Sequence, residues 1–229
     1  MPKSSIAMRT PNAFSEPVAD TVYGYMLAFV RRQPWMDRDM KAGRWEKLPG
    51  RALNECTLGI IGVGDVGKAV ARRARGFGLT LLGNDLKPIS EDFVRESGIR
   101  MVDKDELFAS ADFISLNCDL NPTSFHLMNA ERFAQMKPEA VLINTSRGPV
   151  VDENALVDAL KTGRIAGAAL DVFEQEPLAQ EHPLLGMDRV LLAPHNSNSS
   201  PKAWEFVHRN TIRQLVQGLE QPIEGIKAP

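Results

Sequence analysis

Apolar and polar positions follow two alternating patterns along most of this chain. Short apolar runs are typical of buried strands, and they occur at residues 58–61, 79–82, 100–102, 113–116, 140–143, 165–170 and 190–193. The segments between them carry apolar residues at helical spacing, as in Leu156 and Leu160 behind a capping Asp152. Strands that alternate with helices across short connections predict an α/β fold, a doubly wound parallel sheet with flanking helices.

An earlier apolar segment predicts a helix that is covered on more than one side. Ser15 is the expected N-cap and Pro17 lies just inside the first turn. Apolar residues then recur at helical spacing, at Val18, Val22, Met26 and Val30. Two interpretations stay open: burial in the chain's own core, or a homodimer interface through the helix over residues 15–30. Aromatic residues and methionines in the polar link over residues 31–54 also suit an interface.

A glycine motif follows the first apolar run of the sheet. Gly62, Gly64 and Gly67 form a G-x-G-x-x-G between a predicted strand and a helix, and Asp85 ends the next strand. In a Rossmann-like fold these glycines allow a tight turn, approach to a pyrophosphate and close helix packing. The alternative is an ordinary strand–turn–helix corner without a ligand. Asp85 would accept hydrogen bonds from a ribose 2′-OH and repel a 2′-phosphate, so the motif predicts NAD rather than NADP.

Polar residues directly follow several predicted strands, and the parallel sheet would bring them to one rim. Among them are Arg147, Asp171, Glu176 and His195. His195 can exchange a hydroxyl proton, Glu176 can hold the ring and raise its pKa, and Arg147 can grip a carboxylate. Asp171 can contact a nicotinamide carboxamide or hold neighbouring loops. On spacing alone, mutually satisfied polar groups explain the same residues.

The other histidines are interpreted as ordinary polar groups. His126, His182 and His208 are each expected to lack an acid partner at a strand end. Single histidines in such positions are common without any catalytic task.

Composition narrows the class of protein. The chain has 229 residues, 43% of them apolar, and a net charge of −2, which excludes the basic footprint of a nucleic-acid or anionic-membrane binder. Cys56 and Cys118 lack metal-ligand spacing and are typical of reduced thiols, so we predict a cytoplasmic protein without a metal. No signal peptide is visible, and the apolar run at residues 23–30 is too short to span a bilayer.

Three blocks of sequence carry a family resemblance: LGIIGVGDVGKAVARRARGFG, MKPEAVLINTSRGPVVDENALVDALKTGRIAGAALDVFEQEPL and VLLAPH. With them the chain resembles the D-isomer-specific 2-hydroxyacid dehydrogenases, which implies NAD as cofactor and a small 2-hydroxy or 2-keto acid as substrate. The resemblance implies that Arg147 binds substrate, Glu176 is the histidine's partner and His195 is the general acid/base. It implies further cofactor contacts at Asp65, Val66, Asp85, Cys118, Thr145, Ser146, Arg147 and Asp171.

The chain also departs from the family pattern. Family members carry most of a substrate-binding lobe before the equivalent of Thr10, and we expect that lobe to be missing here. The resulting division is a loose segment over residues 1–14, an NAD-binding domain over 15–199, and a C-terminal helix over 200–229 that normally packs on the lobe. Asp119, Asn121 and the stretch 196–198 differ from the usual residues, and Asp65 is expected to point away from the phosphates.

These departures leave the function open between three alternatives. The first is an NAD-dependent 2-hydroxyacid oxidoreductase whose turnover is impaired in this chain. The others are a non-catalytic, dimeric NAD-binding module and an inactive fragment.

Overall fold

The centre of the protein is a seven-stranded parallel sheet, seen in a computed structural model that describes residues 10–220. The strands are β1 Thr57–Ile61, β2 Thr80–Asn84, β3 Arg100–Met101, β4 Phe113–Leu116, β5 Val141–Asn144, β6 Gly167–Leu170 and β7 Val190–Leu192. Their order is β3-β2-β1-β4-β5-β6-β7, and every pairing is parallel. The predicted doubly wound sheet is therefore confirmed. The order reverses between β1 and β4, which opens a crevice beyond the carboxyl ends of those two strands.

Eight helices surround this sheet within the described residues. They are α1 Ser15–Arg31, α2 Gln33–Lys41, α3 Asp65–Phe77, α4 Glu91–Ser97, α5 Lys104–Ser110, α6 Ala130–Gln135, α7 Glu153–Lys161 and α8 Pro201–Glu220. Over residues 10–220, none of the helices combines the length and the apolar character that crossing a membrane requires.

Side-chain caps fix several helix starts. The Asp103 carboxylate accepts the N–H of Glu106 at 2.8 Å, and Asp152 accepts the N–H of Ala155 at 3.0 Å, so both residues are N-caps and the cap predicted at Asp152 is confirmed. The predicted cap of α1 is wrong. Ser15 is the first helical residue, and Phe14 occupies the N-cap position without a side-chain bond.

Part of the segment assigned to a polar link is helical. Arg32, with a left-handed φ of 56°, separates α1 from α2. None of the residues of α2 is buried, so the apolar stripe that marks a helix in a sequence is absent. Instead, Trp35 packs on the Phe29 ring at 5.2 Å and donates its indole N–H to the carbonyl of Asp188 at 2.7 Å.

Both faces of the sheet are covered, which explains why its strands are apolar throughout. Helices α5, α6 and α7 pack on one face with Phe108, Phe133 and Leu156. Helices α1, α3 and α4 pack on the other face with residues such as Met26 and Val70. Most of the apolar residues of α1, among them Val22, Met26 and Val30, lie in this second cluster, so burial in the chain's own core accounts for them.

Asp112 ties the strands together at the amino end of the sheet. Its Oδ2 accepts the N–H of Thr57 at 2.8 Å, and its Oδ1 lies 3.4 Å from Arg51 and 3.3 Å from Lys137. Burial alone would raise the pKa of the Asp112 carboxyl, but the Thr57 N–H and the two cations hold that pKa below its usual range.

Replacing Asp112 by Asn removes the charge and keeps one oxygen for the Thr57 N–H. Because both cations are partly exposed and screened, we expect the free energy of unfolding at neutral pH to fall by about 1 kcal/mol. The pKa of Asp112 in the folded protein lies below its unfolded value of about 3.9. The stabilisation by the charged carboxylate is therefore complete above the unfolded value and is lost as the pH falls through the folded-state pKa. Urea unfolding at a series of pH values should show the difference shrinking below about pH 4. Asp92→Asn in an exposed pair is the control, and a difference independent of pH would contradict the charge assignment.

Candidate functional site

The three glycines of the motif meet three different constraints. Gly62 has a φ of 87°, and a Cβ atom there would lie 2.8 Å from the backbone N of Cys118, at the end of β4. A Cβ atom at Gly67 would lie 2.1 Å from the carbonyl oxygen of Gly62. At Gly64 a Cβ atom would meet nothing within 4 Å, so this position borders open space. This is the arrangement that lets a ligand's phosphates approach the backbone at the second glycine.

Helix α3 begins directly at this open space. Gly64 is its N-cap and provides no side-chain bond, so first-turn N–H groups are left for a ligand. Asp65 is the first helical residue, and its carboxylate lies 3.1 Å from the Asn12 amide nitrogen once that amide is oriented to donate. The amide offsets part of the negative charge that Asp65 brings to the helix end.

Asp85 is held at the end of β2 by two backbone groups. Its Oδ2 accepts the N–H of Val63 in the glycine loop at 2.7 Å, and its Oδ1 accepts the N–H of Lys87 at 2.8 Å. The side chain is half-buried and lines the same cavity as Gly64. Both oxygens keep a lone pair, so a ribose hydroxyl can still donate to this carboxylate.

Two adjoining cavities lie along the carboxyl ends of the strands. One has a volume of about 630 Å³ and includes Asp65 and Asp85, and the other has about 520 Å³ and includes Arg147 and His195. Residues that line both are Phe14, Val66, Asn117, Cys118 and Asp119. The cleft therefore crosses the point where the strand order reverses. Burial raises the pKa of the Cys118 thiol, so this side chain enters the cleft uncharged.

His195 and Glu176 are paired at the second cavity. Nδ1 of His195 lies 2.8 Å from Oε2 of Glu176, and Oε1 of Glu176 accepts the N–H of Phe173 at 3.0 Å. Burial alone would raise the pKa of the Glu176 carboxyl, but the hydrogen bond to His195, the Phe173 N–H and the charge of Arg147 hold that pKa below its usual range. Because Nδ1 faces the carboxylate, Nε2 is the ring nitrogen left for a ligand.

Asp171 holds the loop that carries His195. Its carbonyl accepts the N–H of His195 at 2.7 Å, and its carboxylate accepts those of Asn196 and Ser197 at 2.7 and 2.8 Å. The residue is 0% exposed. Of its two predicted tasks, holding a neighbouring loop is the one this geometry provides, while a contact with nicotinamide stays a prediction.

Arg147 reaches the second cavity from the turn after β5. It is exposed, and its Nη1 donates to the Ser146 carbonyl at 2.6 Å. Buried Asn144 fixes the turn: its Oδ1 accepts the N–H of Ser146 at 3.1 Å and the Ser146 hydroxyl at 2.8 Å, and its Nδ2 donates to the Arg147 carbonyl at 3.0 Å. The sequence analysis did not assign Asn144 this task, although a polar residue at the end of a buried strand is a signal for it.

Thr145 places an unsatisfied hydroxyl in the wall of the second cavity. The residue is 8% exposed, and its Oγ1 has no hydrogen-bond partner among the described residues. Buried polar atoms are rarely left without a partner, so this oxygen is available to a ligand's amide or hydroxyl. Together with the open space at Gly64 and the uncapped start of α3, it shows that the residues present fit a dinucleotide.

The fold and the cleft therefore define a dinucleotide-binding α/β domain. Residues 23–197 match the family model described as "D-isomer specific 2-hydroxyacid dehydrogenase, NAD binding domain". The chain belongs to this family, and the family's cofactor agrees with the predicted NAD.

Individual relatives support the same assignment. The chain is 43% identical over 197 residues to a glyoxylate reductase of Korarchaeum cryptofilum, covering 83% of this chain and 59% of that protein. It is 39% identical over 217 residues to a glyoxylate reductase of Thermofilum pendens, covering 92% and 64%. Among solved structures, D-lactate dehydrogenase of Aquifex aeolicus complexed with NAD and lactic acid is similar with a TM-score of 0.85 and 30% identity, covering 92% of this chain and 68% of that one. The chain thus spans about three fifths of the length of these two curated relatives.

Replacing Thr145 by Val removes the unsatisfied hydroxyl and keeps the shape of the side chain. We expect the ligand-free protein to be as stable as the wild type or more stable, by up to about 1 kcal/mol, because a buried unpaired polar group is lost. We expect NADH affinity to fall by roughly fivefold to tenfold, the value of one hydrogen bond. Thermal unfolding and calorimetric titration measure the two effects. Thr80→Val, exposed at the start of β2, is the matched control, and an unchanged affinity would rule out a contact to this hydroxyl.

Proposed function

We propose that this chain provides the cofactor and proton-transfer half of an NAD-dependent D-2-hydroxyacid dehydrogenase. Its substrates would be small 2-hydroxy or 2-keto acids, the class to which the glyoxylate and lactate in the relatives' names belong. The observation that carries this proposal is the 2.8 Å pair of His195 and Glu176 beside a cavity that Arg147 also lines. A protein that only bound a dinucleotide would have no need of these three residues together.

The residues that would hold NAD lie along the whole cleft. Gly64 and the N-terminus of α3, with Asp65 and Val66, would lie against the pyrophosphate, and Asp85 would accept a ribose hydroxyl. Around the nicotinamide half the proposed contacts are Cys118, Thr145, Ser146, Arg147 and Asp171. When bound, NAD supplies the hydride acceptor for oxidation, and NADH the hydride donor for reduction.

The chain's own part in the reaction is proton transfer and orientation. For oxidation, Nε2 of a neutral His195 takes the proton of the substrate hydroxyl, and for reduction an imidazolium returns it. The Glu176 carboxylate keeps Nδ1 protonated and stabilises the positive ring. The guanidinium of Arg147 binds the substrate carboxylate or polarises the keto group through paired donors.

The openness of this site favours a second candidate, an NAD-binding module with little turnover. The side chains of His195 and Glu176 are 40% and 38% exposed. Water in the cleft weakens electrostatic stabilisation, and a substrate bound by few groups is poorly oriented. We therefore expect the turnover of this chain to be weak.

His195→Ala tests the proton-transfer role. We expect NADH-dependent reduction of glyoxylate or pyruvate, followed by NADH absorbance, to fall at least about 100-fold. Calorimetric NADH binding should stay nearly unchanged, because the ring is assigned no cofactor contact. His208→Ala, on the exposed side of α8, should behave as wild type. Equal turnover in wild type and His195→Ala would contradict the mechanism, while NADH binding without any wild-type turnover would select the second candidate.

Asp85 provides a separate test of cofactor choice. A 2′-phosphate beside this carboxylate is repelled, so we expect NADH to bind at least about tenfold more tightly than NADPH. Asp85→Asn keeps an oxygen for the Val63 N–H and removes the charge. The ratio of the NADH affinity to the NADPH affinity should therefore fall, mainly because NADPH binds better. Calorimetric titration of both cofactors on both proteins measures it. Equal affinities of the wild type for NADH and NADPH would contradict the assignment of Asp85 to cofactor choice.

Assembly and location remain proposals. A homodimer through residues 15–30 loses its original argument, because the apolar side chains of α1 are used inside the chain. The homodimer would instead use the exposed apolar residues Met40 and Trp45, on α2 and the link that follows it. Both cysteines are free thiols, which supports a cytoplasmic location.

A further inference from the structure

The turn that carries Arg147 packs backbone to backbone against the loop that carries Glu176. A Cβ atom added at Gly148 would lie 1.8 Å from the carbonyl oxygen of Phe173 and 2.5 Å from the nitrogen of Glu174. Both distances are far below van der Waals contact, so a side chain at position 148 would push the two segments apart. The position of Arg147 relative to Glu176 therefore depends on where residues 173–174 lie.

Two glutamates fix residues 173–174 on helix α7. The N–H of Glu174 donates to Oε1 of Glu153 at 2.5 Å, and the N–H of Glu153 donates to Oε1 of Glu174 at 3.1 Å. Glu153 is the first residue of α7, so the Glu174 carboxylate satisfies an otherwise unpaired helix N–H and lies at the positive end of the helix dipole. Each side chain thus holds the backbone of the other residue.

Each carboxylate also faces an imidazole from a further loop. Nε2 of His126 lies 2.9 Å from Oε1 of Glu174, an ion-pair distance, although this nitrogen makes no hydrogen bond among the described residues. Nε2 of His182 lies 3.4 Å from Glu153, and its Nδ1 accepts the N–H of Leu184, which leaves Nε2 as the protonated nitrogen of the neutral ring. The interpretation of His126 as a histidine without a strand-end acid partner is therefore wrong, because Glu174 follows β6.

Glu153 is more buried than an ordinary surface ion pair. Its side chain is 12% exposed. Burial raises the pKa of its carboxyl, the Glu174 N–H and His182 lower that pKa, and the carboxylates of Glu174 and Glu176 raise it again. Three carboxylates gathered in one place oppose folding electrostatically. The Glu174 N–H and His182 offset part of this repulsion, so the Glu153 carboxylate stays beside Glu174.

We propose that Glu153 and Glu174 are positioning residues that keep the Glu176 carboxylate against His195. Glu176 follows Glu174 by two residues, and its Oε1 is bonded to the N–H of Phe173. Release of residues 173–174 from α7 would therefore displace the acceptor that faces Nδ1 of His195. The catalytic meaning of this rests on the proposed function, whereas the geometry itself belongs to the cofactor-free chain.

The tautomer of the His195 ring tests the proposal without cofactor. The chain has four histidines, so single substitutions assign every ring in a heteronuclear NMR spectrum. In the neutral ring, the Glu176 partner keeps the proton on Nδ1, and a ring that loses this partner loses that preference. We expect Glu174→Ala and Glu153→Ala to move the His195 nitrogen resonances toward those of Glu176→Ala. Glu174→Gln retains an oxygen for the Glu153 N–H and should keep the wild-type pattern.

Matched variants separate positioning from general loss of structure. Glu181→Ala, an exposed glutamate in the neighbouring loop, should leave the His195 pattern unchanged. A folded Glu174→Ala or Glu153→Ala protein with the wild-type pattern would overturn the positioning role. If the alanine variants do not fold, Glu174→Asp, with a side chain too short by one methylene, repeats the comparison in a milder form. Failure to bind NADH would contradict the proposed function but not this result, because the measurement uses no cofactor.

Discussion

The buried carboxylate of Asp171 is the constraint on which the site depends. A fully buried charge is costly unless it is hydrogen-bonded, and this one accepts two successive backbone N–H groups while the residue's carbonyl accepts a third. These bonds hold His195 with a φ of 52°, a left-handed conformation that costs a non-glycine residue about 1–3 kcal/mol. Because β6 and β7 are paired, Asp171 at the end of β6 lies beside the loop after β7 that carries His195. The imidazole therefore has a defined position before any ligand binds.

Close backbone contacts connect the other loops of the site. Gly62 lets the end of β1 lie against the end of β4, and Gly148 lets the Arg147 turn lie against residues 173–174. Parallel topology brings these strand ends to one edge of the sheet, but it does not fix the loops relative to one another. Glycines allow the loops to approach closely at these contacts. Charged side chains bonded across the contacts then fix the loops relative to one another. The geometry of the site is thus a property of contacts between loops as much as of the sheet.

Local signals account for what the sequence could predict. The strands are apolar because both sheet faces are buried, and Asp103 and Asp152 cap helices through bonds only three residues away, so both features are readable from the chain. Helix α2 was missed because it buries no residue and is held by a bond from Trp35 to the distant Asp188. The pairing of His126 with Glu174 likewise joins residues 48 positions apart, and no local pattern in the sequence indicates it. Sequence patterns record burial and caps, whereas contacts between loops appear only in three dimensions.

The two ends of the cleft differ in what their proposed tasks require. The glycine loop, the start of α3 and Asp85 lie within one strand–helix–strand unit, where the Val63 N–H bond to Asp85 joins the glycine loop to the end of β2. His195 and Glu176 are equally well ordered by internal bonds, yet their side chains remain more than one third exposed. Internal bonds therefore orient this pair but do not exclude water from it. Because the proposed hydride transfer depends on both orientation and exclusion of water, the proposed cofactor binding makes the smaller demand on this cleft.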